Sequence, residues 1–184
     1  MEGRLNILTI RPLESRDVEA ILEIQAGCPE IAQWTAWDYD RVARGEMAGW
    51  VATENSNAGP EVAEKVAAGL AGGVAAGVDG EAAAEFADEV AGFLVARRLS
   101  SELEILNFAV ESEWRRCGIG AKLLGAALQW AQTFEATQAI LEVRASNLGA
   151  LRFYSSHKFE VVGRRPRYYT APVEDALLLT ATLT

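Results

Sequence analysis

Apolar residues recur along this chain in two patterns, short runs typical of buried strands and stripes with the spacing of a helix face. The longest continuous unit contains both. Residues 103–110 form an apolar run with β-branched and aromatic side chains, and a basic, glycine-bearing turn follows at residues 115–120. The apolar stripe of the next segment comprises Leu123, Leu124, Ala127, Leu128 and Ala131. This pattern predicts a strand, a turn and a long helix that begins at Gly120.

The rest of the pattern predicts six further strands and two more helices. The strands are expected at residues 5–11, 50–54, 93–98, 140–144, 159–169 and 176–183. A first helix would follow an N-cap at Ser15, and a last helix would follow an N-cap at Asn147. The strand, helix and strand around residue 120 predict a right-handed crossover with parallel neighbours, and the last two strands are expected to pair antiparallel. We therefore expect one α/β (α+β) domain over residues 1–184, with a central mixed sheet of about six or seven strands and helices on both faces.

Residues 55–92 interrupt this pattern as an acidic insertion, rich in alanine and glycine, between the second and third strands. A connection of this length is uncommon inside a compact domain. One interpretation places short helices at residues 60–68 and 81–90, the first of them with a proline at its first position. The other interpretation extends the flanking strands into a longer hairpin through residues 74–78. The residues of the insertion indicate no particular chemistry.

Three aromatic residues lie close together between the first helix and the second strand, namely Trp34, Trp37 and Tyr39. One interpretation makes them core residues or a packing patch between helices, because aromatic side chains bury a large area. The other makes them a lip that faces the substrate. The sequence leaves both interpretations open.

Composition and charge narrow the functional classes. The chain of 184 residues has a net charge of −9, which argues against nonspecific binding to nucleic acid and weakly favours a basic substrate. Its two cysteines, Cys28 and Cys117, are too few for a disulfide framework, and its one histidine, His157, leaves no zinc cluster. We expect no bound metal. The residues indicate neither a signal peptide nor a membrane span, so we also expect a cytoplasmic protein without membrane partners. The expected oligomeric state is a monomer or weak homodimer.

The basic turn at residues 115–120 has the features of an anion site. The first N–H groups of a helix lack intrahelical partners, the helix dipole is positive there, and glycine lets the backbone approach a phosphate closely. The turn lacks the Gly-Lys-Ser/Thr of the P-loop and the third glycine of the dinucleotide fingerprint. It fits Arg/Gln-x-x-Gly-x-Gly/Ala through Arg115, Gly118 and Gly120. In this it resembles the coenzyme A pyrophosphate loop of the GCN5-related N-acetyltransferases (GNAT). The competing interpretation is an ordinary strand-to-helix connection with solvated arginines.

Three polar residues follow this turn within one strand-helix unit. Glu142 stands between two apolar residues of a predicted strand, while Asn147 and Tyr154 are two helical turns apart and project on the same side. Each has an ordinary explanation. Glu142 could point to solvent or pair with Arg144, Asn147 could be a helix cap only, and Tyr154 could be a half-buried core residue. Their occurrence together, directly after an anion-binding turn, favours a shared site.

The resemblance becomes closer over residues 103–179, in the motifs at 107–110, 115–120, 141–147, 150 with 154, and 164–176. These resemble the bacterial ribosomal-protein alanine N-acetyltransferases, a branch of the GNAT superfamily. The resemblance implies a GNAT-like domain, acetyl-CoA as the cosubstrate, Glu142 as general base and Tyr154 as general acid. The coenzyme-binding residues that it implies are Phe108, Ala109, Val110, Arg115, Arg116, Cys117, Gly118, Ile119, Gly120, Ala121 and Asn147.

Two features depart from that family. Lys158 stands where a glycine is usual, and a left-handed conformation at this helix end is costly for a side chain with a Cβ. The insertion at residues 55–92 has no counterpart in the family pattern, and it lies near the expected approach of the acceptor.

The chemistry of acyl transfer bears on which kind of amine could be the acceptor. A protein α-amino group has an ordinary pKa of about 7.7–8.0 and a lysine one of about 10.4, so one carboxylate deprotonates the former more readily. This difference is compatible with an N-terminal amine, which is the acceptor that the resemblance implies and the one we expect. A small amine remains an alternative, as does a non-catalytic coenzyme-binding module. We expect direct transfer without a covalent intermediate, because the motif of Cys117 contains no histidine base.

Overall fold

The computed structural model describes residues 7–55 and 89–183. The strands of these residues are β1 (Ile7–Pro12), β2 (Ala48–Asn55), β3 (Glu89–Leu99), β4 (Glu102–Val110), β5 (Gln138–Arg144), β6 (Glu160–Thr170) and β7 (Val173–Thr182). Their α-helices are α1 (Val18–Ala26), α2 (Ala36–Ala43), α3 (Ile119–Gln132) and α4 (Leu148–Ser156). Short 3₁₀ turns at Ser15–Asp17 and Ser112–Trp114 precede α1 and α3.

The strands form one mixed sheet in the order β1-β2-β3-β4-β5-β7-β6. Neighbouring strands are antiparallel except β4 and β5, which are parallel and joined by α3. This confirms the predicted mixed sheet, the crossover with parallel neighbours, and the antiparallel pairing of the last two strands. The sheet has seven strands, the larger of the two numbers expected.

Helices cover both faces of the sheet, as predicted. Alternate residues of a strand point to opposite faces, so Phe93 packs with α1 and α2 while Leu94 packs with α3 and α4. Isoleucines of α1, with Tyr39 and Val42 of α2, fill the first core. The predicted stripe of α3 fills the second, with Leu123, Leu124 and Ala127 fully buried.

Two β-bulges shift the alternation. Ala52 pairs with Gly92 and Thr53 with Val90, so Ala91 is an extra residue in β3. In the same way, Val95 pairs with Asn107 and Ala96 with Ile105, so Leu106 is an extra residue in β4. A bulge bends its strand and re-aims the side chains beyond it. Beyond Leu106, β4 therefore directs Asn107 toward α2 rather than toward α3.

The parallel pairing of β4 and β5 ends early. It runs from Glu102 and Gln138 to Ile105 and Leu141, and it stops where the bulge begins. The remaining parts of the two strands do not pair with each other. A cleft consequently opens between them in the middle of the sheet.

The start of α1 differs from the prediction. Ser15 is not its N-cap. Asp17 instead accepts a hydrogen bond from the Glu14 amide at 2.8 Å, and its carboxylate holds the Arg11 guanidinium at 2.6 and 2.7 Å. A buried carboxylate that is paired on both sides orders this turn more firmly than an exposed hydroxyl.

Helix α2 was not predicted, because its apolar residues lie in an aromatic-rich segment that was interpreted only as core, a packing patch or a lip. It begins with a reciprocal cap in which the Thr35 amide donates to Asp38 Oδ2 at 2.8 Å and the Asp38 amide donates to Thr35 Oγ1 at 3.4 Å. The sequence did contain a signal for this helix start, namely Asp38 three residues after Thr35.

Most of the insertion lies outside the described residues. The predicted helix at 60–68, the hairpin through 74–78 and residues 81–88 of the second predicted helix all belong to that part of the chain. The last two residues of the second helix, Glu89 and Val90, lie in β3, so the helix is wrong there. The strands also include Asn55 at one end and Gly92 at the other, so the insertion is shorter than predicted.

Lys158 adopts the conformation that its position demands. It follows α4 with φ +66°, in the left-handed region. The helix end keeps its hydrogen bonds. The Lys158 amide donates to the Ser155 backbone carbonyl at 3.2 Å, and the Phe159 amide donates to the Tyr154 backbone carbonyl at 3.0 Å. The lysine therefore bears the strain of a position that suits glycine.

Within the described residues, no helix has the length and apolar character to cross a membrane.

Replacing Lys158 by glycine is expected to raise the free energy of unfolding by about 1 kcal/mol, because glycine adopts positive φ without a Cβ clash. For a chain of this size, that corresponds to a rise of about 2–4 °C in Tm. Thermal unfolding followed by circular dichroism measures it. Lys158→Ala is the matched control, because it removes the same side chain but keeps the Cβ. Equal stabilisation by both variants would contradict backbone strain as the cause.

Candidate active site

The cleft between β4 and β5 contains a cavity of about 980 Å³. This volume lies at the upper end of the range for small-molecule sites. The walls come from five parts of the fold: the splayed ends of β4 and β5, the turn before α3, one face of α4, the α1–α2 connection, and the tyrosines of β6. Most of the residues predicted for the site line this one cavity.

The start of α3 forms one end of the cavity. Gly118 is the N-cap with φ +82°, a conformation that favours glycine. Its carbonyl accepts the Lys122 amide at 3.1 Å, so the amides of residues 119–121 have no partner within the helix. Gly118, Gly120 and Ala121 line the cavity. These free N–H groups and the positive end of the helix dipole make an anion site.

Gly120 is needed for packing. A Cβ at this position would lie 3.3 Å from the Phe153 ring and 3.4 Å from the Phe108 ring. The glycine therefore lets both rings approach the helix start. Phe108 contacts Phe153 edge to face at 5.6 Å between ring centroids, which makes this part of the cavity aromatic.

The two arginines of the turn have different surroundings. Both line the cavity. The Arg115 guanidinium donates to the Val110 carbonyl at 3.0 Å and to Cys28 Sγ at 3.0 Å, and the Glu30 carboxylate lies 4.0 Å away. Arg115 thus joins the turn to the end of β4 and to the α1–α2 connection. Arg116, with φ +64°, completes the basic end of the cavity.

Two residues of the predicted turn do not present their side chains to the cavity. Cys117 is exposed and lies outside the lining, with Sγ 3.7 Å from the Arg115 carbonyl. Ile119 is buried in the core beneath α3. Any contact of these two with a ligand would be through the backbone, and their assignment remains a prediction. Phe108, Ala109 and Val110 of β4 do line the cavity.

Glu142 lies on the opposite wall, on β5. Its Oε1 is 2.7 Å from Arg165 Nε on β6, so the suggested pair with Arg144 is wrong. Arg144 instead pairs with Glu174 at 3.3 Å and stacks on the Tyr169 ring at 4.1 Å. The Glu142 carboxylate also acts on Tyr168 as a hydrogen-bond acceptor for its hydroxyl, and this is the main reason that the pKa of Tyr168 lies above its ordinary value.

Tyr154 and Asn147 both contribute to the cavity wall from α4. Tyr154 is only 5% exposed, and burial raises its pKa well above the ordinary value, so the phenol stays protonated at neutral pH. Asn147 is the predicted cap, since its Oδ1 accepts the Ala150 amide at 3.0 Å. The ordinary explanations for these two residues are therefore correct in part, and both residues nevertheless line the cavity.

Several lining residues escaped the sequence analysis. Asn107, Tyr168 and Tyr169 were only part of the motifs, with no role of their own. Glu30, Ile31 and Ala32 were given no role as single residues either. Of the three aromatic residues, Trp34 fits the substrate-facing lip, Tyr39 fits the core, and Trp37 fits neither interpretation. Trp34 lines the cavity, Tyr39 is fully buried, and Trp37 is 61% exposed beneath Arg41 and outside the lining. Among the described residues, no group of three or more His, Cys, Asp or Glu could hold a metal.

Comparison with known proteins agrees with this geometry. A family model described as "Acetyltransferase (GNAT) family" matches residues 19–159. The chain belongs to the GNAT family. This confirms the family resemblance that was based on Arg115, Gly118 and Gly120, and the GNAT fold that it implied.

The GNAT relatives include enzymes that act on protein N-termini. An N-alpha-acetyltransferase from Sulfurisphaera tokodaii is 34% identical over 113 residues, which cover 54% of this chain and 67% of that protein. A [ribosomal protein bS18]-alanine N-acetyltransferase from Salmonella typhimurium is 32% identical over 94 residues, which cover 50% of this chain and 64% of that enzyme. The match thus spans about two thirds of the length of either relative. It spans only 27% of an uncharacterised Mycobacterium leprae protein that is 40% identical over 101 residues.

Solved GNAT structures share the fold at lower identity. The ribosomal-protein-S18-alanine N-acetyltransferase of Escherichia coli matches with a TM-score of 0.68 and 20% identity, over 97% of this chain and 95% of that one. Arabidopsis thaliana NAA60 in complex with acetyl-CoA matches with a TM-score of 0.72 and 18% identity, over 96% and 99%. At these identities the likeness establishes the fold.

Burial of Tyr154 predicts a loss of stability at alkaline pH. In the unfolded chain a tyrosine ionises near pH 10, whereas the folded protein keeps this one protonated. The folded state then binds more protons, so the free energy of unfolding falls above pH 10 by up to about 1.4 kcal/mol per pH unit. Tyr154→Phe is expected to remove this contribution. Urea denaturation at pH 9, 10 and 11 measures it, and parallel curves for the two proteins would contradict the prediction.

Proposed function

We propose that this protein transfers an acetyl group from acetyl-CoA to a primary amine, and that the preferred acceptor is the α-amino group of a protein N-terminus. One observation carries the proposal. An anion-binding helix start at Gly118 and Gly120 shares a single cavity with a carboxylate, Glu142, and a buried phenol, Tyr154. That combination provides for a phosphate-bearing donor, a base and an acid in one place.

The residues present suit acetyl-CoA. The free amides of the α3 start, with Arg116 beside them, would hold the diphosphate, and Phe108 to Val110 would lie along the pantetheine arm. When bound, the coenzyme supplies the acetyl thioester. The glycine at 120 supports the fit, because a side chain there would press on the two phenylalanine rings of the cavity. Asn147 would add a polar contact from the start of α4.

Glu142 is the proposed general base. Its carboxylate is held by Arg165 at 2.7 Å and adjoins Tyr168, so it is positioned to accept the proton that the amine nitrogen loses as it attacks the acetyl carbon. The transfer forms the new C–N bond and breaks the C–S bond. A backbone N–H near Val110 would stabilise the charge that develops on the carbonyl oxygen.

Tyr154 is the proposed general acid. Its buried phenol is protonated at neutral pH and would donate that proton to the sulfur as the C–S bond breaks, although burial makes it a weaker acid than a free tyrosine. A sulfur that would otherwise leave as a thiolate, whose acid has a pKa of about 8.5, is protonated within the cavity. Starting from the neutral amine, Glu142 gains one proton and Tyr154 loses one, and return of a proton from Glu142 to Tyr154 through solvent balances the reaction and restores both groups.

An N-terminal acceptor fits this pair of residues better than a lysine. An α-amino group with a pKa of about 7.7–8.0 loses its proton to a single carboxylate at modest cost. The names of the relatives, which refer to N-alpha acetylation and to the alanine of a ribosomal protein, support the same choice. A ribosomal-protein acceptor would place the activity in the cytoplasm. A single domain and a monomer or weak homodimer remain predictions.

The function is tested by mass spectrometry of peptides incubated with acetyl-CoA. A peptide that starts with alanine is expected to gain one acetyl group at its N-terminus. The same peptide with a blocked N-terminus and an internal lysine should react far more slowly, and so should small amines such as spermidine. Preference for spermidine would favour the small-amine alternative. Binding of coenzyme without transfer to any amine would favour a non-catalytic module.

Removing the proposed acid or base should separate chemistry from binding. Glu142→Gln and Tyr154→Phe are each expected to lower kcat by about 10²–10⁴-fold, because each removes one proton transfer. The Kd for acetyl-CoA, measured by calorimetry, should stay within about twofold of the wild-type value. A variant with unchanged kcat would exclude that residue from its assigned role.

Direct transfer predicts that the cysteine in the turn is dispensable. Cys117→Ala is expected to keep kcat and KM within about twofold, because the thiol is exposed and outside the cavity lining. Steady-state kinetics measures the change. Loss of all activity with coenzyme still bound would indicate a covalent acetyl-cysteine route instead.

A further inference from the structure

The segment of residues 27–35, here the α1–α2 loop, forms a wall of the cavity beside β4. Its Ile31, Ala32 and Trp34 line the same space as Glu142. The loop contains no helix or strand. Neighbouring elements must therefore hold this wall in place.

A buried polar network does so. The Gln25 side chain on α1 binds both backbone groups of Trp34, donating to the carbonyl at 2.8 Å and accepting the amide at 2.9 Å. The Tyr39 hydroxyl on α2 donates to the same Gln25 oxygen at 2.7 Å. Asn107 Nδ2 on β4 lies 3.0 Å from the Tyr39 oxygen and 3.0 Å from the Ala32 carbonyl, and it donates to both.

Asn107 also acts on β4 itself. Its Oδ1 accepts the Phe108 amide at 3.1 Å, just beyond the bulge where β4 no longer pairs with β5. One side chain thus binds the cleft strand with its oxygen and the α1–α2 loop with its nitrogen. Gln25, Tyr39 and Asn107 are each at most 5% exposed. Buried groups of this kind are costly when unpaired, so the network favours one position of the loop.

We propose that Asn107 is a positioning residue which, with Tyr39 and Gln25, fixes the α1–α2 loop against β4 and thereby sets the affinity for the acceptor amine but not for the coenzyme. The inference rests on the proposed function. When the loop is already ordered, binding of the acceptor does not carry the entropic cost of ordering it. The coenzyme end has a support outside the network, because Arg115 ties Cys28, at the start of the loop, to the Val110 carbonyl.

Tyr39→Phe tests the network with the smallest change. The ring keeps its contacts with Phe93 and Trp34, at 5.6 and 5.4 Å between centroids, and only the hydroxyl is lost. The KM for an N-terminal peptide is expected to rise about tenfold, while kcat and the Kd for acetyl-CoA stay within twofold. Asn107→Ala, which also releases the Ala32 carbonyl, should raise this KM further. Hydrogen exchange at residues 32–34 should become faster in both variants.

Val42→Ala is the matched control. Val42 is buried on the same helix as Tyr39 and in the same core, but it takes no part in the network. The control is expected to lower Tm without a change in peptide KM. The proposal is overturned if Val42→Ala raises the peptide KM as much as Tyr39→Phe does, or if Tyr39→Phe leaves both KM and hydrogen exchange unchanged. A parallel loss of acetyl-CoA affinity would also overturn it.

This outcome is distinct from failure of the proposed function. If the wild-type protein acetylates no amine, hydrogen exchange still decides whether the network holds the loop. Unchanged exchange in Tyr39→Phe would then reject the positioning role by itself.

Discussion

The point at which β4 leaves β5 determines the rest of the site. After the pair of Ile105 and Leu141, the extra residue Leu106 turns β4 away. On the side that faces the cleft, both strands then carry backbone groups without a neighbouring strand. In the middle of a sheet such groups need partners. Asn107 supplies one from its own side chain. The opening also brings the start of α3 and one face of α4 to the same space, so a ligand lying in it meets backbone donors on one side and side chains on the other.

The charge of the cavity differs from that of the whole chain. The protein carries a net charge of −9, yet one end of the cleft presents Arg115, Arg116 and the positive end of a helix dipole. The other end presents Glu142 and Glu104, the latter paired with Arg97. Over distances shorter than a Debye length, this local arrangement outweighs the net charge in selecting a ligand. In the proposed function, the basic end would take the phosphates of the donor and the acidic end a positively charged acceptor.

The sequence was sufficient where the signal was local. The glycines of the turn and the stripe of α3 depend on backbone conformation and periodicity, which a short segment carries by itself. The cap at Asn147 and the left-handed Lys158 were likewise readable from their neighbours. The partner of Glu142 was not, because Arg165 belongs to a strand two places away in the sheet. The Asn107 network joins residues 68 and 75 positions apart, and no pattern in the sequence indicates such a contact.

The Arg165–Glu142 pair bears on which nucleophiles the site admits. Before an acceptor binds, a guanidinium lies 2.7 Å from the carboxylate. An α-amine arrives mostly as an ammonium ion at neutral pH, so it can take the place of the guanidinium without leaving the carboxylate bare. An alcohol or a water molecule carries no charge and offers no such exchange. If Glu142 is the base, as proposed, this ion pair would favour a cationic acceptor over a neutral alcohol or water molecule at the carboxylate.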